Sequence, residues 1–223
     1  MTKTVLVVAA HPDDEALGCG GALARHADAG DHVHVMFLAD GVMSRQDAAD
    51  AEIASRQDAA DAAAKILGIR SLRYAGFPDN RLDAVAMLDI VQPVEAAIRD
   101  LAPDTIYTHH FGDLNVDHRQ THQAVMTACR PQPGSTVREI LTFEVLSSTE
   151  WAGPGWQPFQ PAVYVDVGAQ LERKLSALRA YDAEMRPFPH SRSYEHVISL
   201  AQHHGACVAS AAAEAFMMMR SIR

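Results

Sequence analysis

The sequence predicts an α/β fold built on a parallel, doubly wound sheet, and three observations carry that expectation. Thr4 to Ala10 (TVLVVAA) is a continuous apolar, β-branched run, the pattern of a strand covered on both faces. A polar turn (His11 to Glu15), a helical stretch (Ala16 to Ala29, stopped by Gly30) and a second strand (His32 to Leu38) follow within about forty residues, the opening of such a sheet. No linker-like shift in composition divides the 223 residues, a length that suits one α/β core.

The later elements follow in order. Ser44 to Ala51 and Ser55 to Ala62 both read SRQDAADA, eleven residues apart. Eleven residues make about three helical turns, so both copies fall on one face of a long alanine-rich helix that runs to Leu67 and closes at Gly68. A duplicated solvated helix accounts for the repeat better than a duplicated binding element. Ser71 to Tyr74 reads as a short strand and Gly76-Phe-Pro-Asp-Asn80 as a turn cluster. A helical region spans Asp83 to Asp100, kinked or split near Pro93. Asp104 to Thr108 is a strand ending at His109-His110, and Asp117 to Arg130 is helical. Val137 to Leu146 and Ala162 to Val167 are late strands around a Trp, Gly and Pro-rich loop, Trp151 to Pro161. Helices at Ala169 to Glu184 and Tyr194 to His204 complete the domain.

Composition narrows the function. With 28 acidic against 19 basic residues the net charge is −9, which argues against a nucleic acid or an anionic membrane as the main partner. No apolar run is long enough for a membrane helix, and Thr4 to Ala10 lacks the flanks of a signal peptide. Cys19, Cys129 and Cys207 are widely spaced and odd in number, as in a reduced, cytoplasmic protein.

The chemistry concentrates where the first strand hands over to the first helix, at Ala10-His11-Pro12-Asp13-Asp14-Glu15. Ligands bind at this carboxyl edge in a doubly wound sheet. His11 and Asp14, three apart beside a stiff proline, can face one cleft and suit a divalent ion such as zinc. Asp13 is then free to act as a base. Three adjacent buried acids are too costly unless a cation or hydrogen bonds offset them. Gly18, Gly20 and Gly21 fail the G-x-G-x-x-G pattern, since Leu23 stands at its last position; they fit close helix-to-sheet packing.

Gly112-Asp-Leu-Asn-Val-Asp-His-Arg119, past the fourth strand, comes to the same edge. His118 completes a His, Asp, His set with one position left for water, the composition of a catalytic zinc site. Asp117 orients that shell or caps the following helix. His122 reads as a helix-face residue, and His109 and His110 as candidates for the pocket rim. Arg45, after the second strand, and Arg56, in the long helix, are candidate substrate contacts, with a surface ion pair as the competing role for each.

These motifs resemble the LmbE-like or PIG-L family of zinc N-deacetylases. The resemblance extends through Arg56, Gly68, Gly76-Phe-Pro-Asp79, Arg192-Ser193 and Ala213-Glu-Ala-Phe216, nearly the whole chain. It implies a single Rossmann-like, three-layer domain over residues 1–223 and a zinc ion held by His11, Asp14 and His118. It also implies Asp13 as the general base and an N-acetylglucosamine conjugate or related acetylated amine as substrate. Related proteins often form trimers or hexamers. One position departs from the family pattern. Many members carry His-Pro-Asp-His in the second motif, and here Asn115 replaces the first histidine. Asn115 can donate to an oxyanion but cannot deliver a proton, so Asp13 serves twice or His190 supplies the proton. Two other readings stay open, a zinc amidase acting on a thiol conjugate and a non-catalytic nucleotide-sugar binding protein.

Overall fold

A computed structural model describes residues 2–43 and 50–223. Seven strands form one sheet: β1 (Thr4–Ala9), β2 (His32–Ala39), β3 (Ser71–Phe77), β4 (Thr105–His109), β5 (Glu139–Phe143), β6 (Val163–Asp166) and β7 (Ala213–Ser221). Their order is β3-β2-β1-β4-β5-β7-β6. The first five run parallel, and β7 lies antiparallel between β5 and β6. From β1 the chain turns outward to β2 and β3, then crosses back to β4 on the other side of β1. That reversal opens a crevice at the carboxyl ends of β1 and β4, where both sequence motifs begin.

The helices are α1 (Asp14–Asp28), α2 (Asp50–Leu67), α3 (Met87–Leu101), α4 (Val116–Ala128), α5 (Leu171–Ala180) and α6 (Tyr194–Cys207). Alternation along the strands builds the layers. Val5, Val7 and Ala9 with Val33, Val35 and Phe37 pack under α1, α2 and α5. Leu6 and Val8 with Met36 and Leu38 face α3 and α4. A strand covered on both sides must be apolar at every position, which is why TVLVVA shows no polar alternation.

Several expectations need correction. Strand β3 runs on to Phe77, absorbing two residues of the expected turn cluster. Helix α3 is not split at Pro93 but runs through it. Burial of Ile90, Val91 and Val94 across the proline, about 1.5–3 kcal/mol each, outweighs the roughly 3 kcal/mol a mid-helix proline costs. Strand β5 is shorter than Val137 to Leu146, and α5 stops at Ala180, followed by a 3-10 turn at Asp182–Glu184. Strand β7 was not expected at all: its run of alanines and methionines carries little β-propensity, and pairing on both sides holds it in place. Helix α2 carries the second SRQDAADA copy, while Ser44 to Ala49 of the first lie outside the described residues.

Helix α1 bends at Cys19, whose φ of −147° is not helical. The backbone groups around the bend find other partners. Glu214 of β7 accepts from Gly21 N–H (2.9 Å) and Ala22 N–H (2.7 Å), and Lys174 of α5 donates to Leu17 C=O (2.8 Å) and to Glu214 (2.6 Å). Gly18 is the point of closest approach to the sheet: a Cβ there would lie 2.2 Å from the Phe143 ring. The glycines thus serve packing, as the failed dinucleotide pattern suggested.

Candidate metal centre

The turn after β1 is tightly held. His11 N–H donates to Asp14 Oδ2 (2.9 Å) and Asp13 N–H donates to Glu15 Oε2 (3.0 Å). Asp13 adopts φ 124°, a conformation that costs a non-glycine residue about 1–3 kcal/mol and persists only where its surroundings enforce it. Glu15 and Arg56 do the enforcing. Glu15 also accepts from the buried Tyr181 O–H (2.8 Å). Arg56 donates through one nitrogen to Pro12 C=O (2.8 Å) and Asp13 (3.3 Å), and through the other to Gly41 C=O and Glu184.

His11, Asp14 and His118 converge. His11 Nδ1 lies 3.3 Å and His118 Nε2 3.4 Å from Asp14 Oδ2, and one ligand atom from each of the three lies within 4.8 Å of the others. A tetrahedral shell with arms of about 2.0–2.1 Å has edges of about 3.3–3.4 Å, so the two edges that meet at Asp14 match a small divalent ion. All three residues are buried, yet Asp14 Oδ1 and His118 Nε2 have no hydrogen-bond partner. Leaving such groups unpaired costs about 1–3 kcal/mol each, a debt that a cation at this point removes.

Each histidine is backed by carboxylates. His11 Nε2–H faces Asp117 Oδ2 and Asp79 Oδ1, each at 3.0 Å, which leaves Nδ1 turned toward Asp14. His118 Nδ1 lies 3.1 Å from Asp113 Oδ1, an ion-pair contact at a poor hydrogen-bonding angle. Asp113 is itself held by Ser148, Thr149 and the Asn115 N–H. Such acid–histidine pairs fix ring orientation at metal sites. Burial alone would lower the pKa of His118, but Asp14 and Asp113 push it up to about 9. Burial alone would raise that of Asp14, but the imidazoles of His118, His109 and His11 hold it well below the usual range. Asp13 is pushed up by burial and by Asp14, against the pull of Arg192 and Arg56.

The sequence-predicted residues divide clearly. His11, Asp13, Asp14 and His118 come together as expected. Asp117 backs His11, and the helix cap is Asn115, whose Oδ1 accepts from Asp117 N–H (2.8 Å) while its Nδ2 donates to Asn80 (3.2 Å). His190 packs edge-on against Trp151 and accepts from its own loop at Arg192 N–H. The side chain two residues on, Arg192, is the one that reaches Asp13 (2.9 Å). Arg45 lies outside the described residues. His109 and His110 are fully buried and not on a rim: His109 stacks beneath His118 with ring centroids 4.0 Å apart, and His110 bonds Gln157 C=O. His122 donates to His109 C=O from the face of α4. Sequence reasoning assigned no role to Asp113, Asp79 or Arg192. All three stood inside motifs already noticed, Gly112 to Arg119, Gly76-Phe-Pro-Asp79 and Arg192-Ser193.

Similarity to known proteins agrees with this geometry. Residues 6–129 match the family model described as PIG-L, GlcNAc-PI de-N-acetylase. The uncharacterized deacetylase YaiS of Escherichia coli (strain K12) is 32% identical, over 80% of this chain and 90% of that protein. Among solved structures, the N,N'-diacetylchitobiose deacetylase of Pyrococcus horikoshii superposes with a TM-score of 0.78 at 20% identity, covering 98% of this chain and 84% of that one. GalB of Pseudomonas putida KT2440, a 4-carboxy-2-hydroxymuconate hydratase, superposes with a TM-score of 0.79 at 22% identity, covering 100% and 98%. The fold therefore hosts more than one reaction, and the residues at its crevice must decide between them. The extent of the sequence match and the single α/β sheet agree in placing the chain in the PIG-L, or LmbE-like, family of deacetylases.

Proposed function

We propose that the chain is a zinc-dependent N-deacetylase that hydrolyses the acetamide of an N-acetylglucosamine-type sugar or conjugate, releasing acetate and a free amine. One observation carries this reading: the buried His11, Asp14 and His118 group, with unsatisfied atoms on Asp14 and His118, sits directly beside Asp13. Two imidazoles and one carboxylate suit zinc better than magnesium or calcium. The ion, when bound, supplies Lewis acidity toward the acetyl carbonyl and brings the pKa of water at the site to roughly 7.

The protein's own groups do the rest. Asp13 takes a proton from the attacking water as the new C–O bond forms. Its burial pushes its pKa upward, toward the range a general base needs near neutral pH. The protonated Asp13 then delivers that proton to the amine nitrogen as the C–N bond breaks. One acid thereby serves both steps, since Asn115 has no proton to give. Asp117 and Asp113 hold the two imidazoles in place, and Arg56 and Glu15 hold Asp13 in its strained conformation. In this reading Arg56 positions the base and does not grip substrate, because both its terminal nitrogens are taken by protein.

No helix among the described residues is long and apolar enough to cross a membrane. The three cysteines are unpaired, which supports a reducing, cytoplasmic setting. Acetate release from N-acetylated monosaccharides, glycosides and sugar nucleotides tests the function. Activity with added zinc and none with a chelator is the expected result. Turnover of thiol-conjugated amides but not of N-acetyl sugars would transfer the assignment to an amidase.

A further inference from the structure

The second motif carries Asn115 where many family members carry a histidine, and the Asn115 side chain already has partners within the protein. Asn115 is tied at both ends, its Oδ1 to the first turn of α4 and its Nδ2 to Asn80. Amide hydrolysis places negative charge on the acyl oxygen, and a donor aimed there is among the largest contributions to the rate.

Two arginines share Asp13 Oδ2, and they differ in what they have left over. Arg56 has 6% of its side chain exposed and both terminal nitrogens engaged. Arg192 keeps 18% exposed. Its Nε donates to Ser147 Oγ (2.7 Å) and Leu146 C=O (3.2 Å), and its NH1 donates to Asp13 (2.9 Å). Among the described residues its NH2 has no protein partner. The guanidinium is a rigid planar fork, so this open nitrogen stands one covalent branch from the bond to the base.

We infer that Arg192 is a catalytic residue whose NH2 donates to the acyl oxygen as negative charge develops on it. The inference rests on the deacetylase reading above. When Asp13 takes the proton of the attacking water, the negative charge leaves the carboxylate and appears on the acyl oxygen. A cation fixed between the two meets that charge at both ends of the transfer and needs no movement. Arg192 gives up no proton itself, since a guanidinium stays charged in proteins. The proton passes from water to Asp13 and then to the amine, and the C–O bond forms before the C–N bond breaks. Amide plus water gives amine plus acetic acid, whose remaining proton passes to the amine so that the products leave as ammonium and acetate.

The test uses the zinc-loaded full chain and an N-acetyl sugar that the wild type turns over. Arg192→Gln should lower kcat by about 10²–10³-fold with KM within about twofold and full metal content. A phosphonamidate analogue of the acetamide should lose affinity by about the same factor as kcat/KM, since it imitates the tetrahedral state. In Arg192→Ala, added guanidinium should restore part of kcat, a readout that stands even if the glutamine variant folds poorly. A rise in KM with kcat unchanged would overturn the inference. So would a kcat defect that vanishes above the acidic limb of the pH profile, because Arg192 would then only hold Asp13 ionised. If the wild type itself releases no acetate from any acetylated sugar, the deacetylase reading fails first, a result distinct from either.

Discussion

Two buried clusters of opposite charges lie along α1, and they close differently. At the bend, Lys174 and Glu214 satisfy one another and the backbone groups the bend sets loose. At the helix start, His11, Asp14 and His118 are backed from outside by Asp79, Asp113 and Asp117, yet atoms at the centre remain unpaired. A structural cluster closes upon itself; a binding cluster keeps valences open. Both consist of ionisable residues under about one-tenth exposure, so burial and charge alone do not distinguish them. The count of unmet hydrogen bonds does.

The sharpest way to separate the clusters is to mutate each and measure both metal binding and stability. Asp13→Asn should cut kcat by about 10²–10⁴-fold with metal content and melting temperature nearly unchanged; loss of metal in that variant would make Asp13 a ligand. Lys174→Met should instead cost about 3–5 kcal/mol of stability, because it strands the Glu214 carboxylate, as read from denaturant unfolding. Its metal affinity per folded molecule should stay within a few-fold. A selective loss of metal would show that the bend also aims Asp14.

Proton competition offers a third test. In the metal-free protein His118 has a pKa raised to about 9, above its unfolded value of about 6.5. Its ion pairs therefore stabilise the metal-free fold fully below about pH 6.5, and that contribution is lost as pH rises through about 9. A metal must displace this proton, so apparent affinity should rise up to about tenfold per pH unit below pH 9. Chelator competition between pH 6.5 and 9 measures the slope; a flat profile would mean that His118 is already neutral.

Smaller effects mark the supporting groups. Asp113→Asn should weaken metal binding by about 10–100-fold, visible in the same competition assay, with the Asp14 contacts intact. Asn115→Ala removes the cap of α4 and should cost about 0.5–2 kcal/mol in unfolding experiments. If it also lowers kcat by more than tenfold, Asn115 does more than cap, and Arg192 is not the principal donor.

Much of the fold and site was legible locally. The unbroken apolar run of β1 and the proline-stiffened turn after it place His11, Asp13 and Asp14 within four residues, so strand-to-helix geometry alone puts them at the crevice. Parallel pairing of β1 with β4 carries His118 to the same edge. The misreadings share a cause. Strand β7 depends on pairing partners on both sides, and α3 survives its proline because a buried stripe continues across it. Neither effect has a local signature.

What the sequence determined by itself is the chemistry on offer, an imidazole and a set of acids at the end of a buried strand and a second imidazole in the motif past the fourth strand, because each set lies in a short motif beside an element whose pattern is unmistakable. What only the tertiary structure decided is which acid serves which histidine, and that Arg192 and not His190 reaches the base. Those choices join residues separated by 106 positions for His11 and Asp117 and by 179 for Asp13 and Arg192. Contacts over such distances are set by how helices and loops pack across the sheet, and no local periodicity records them.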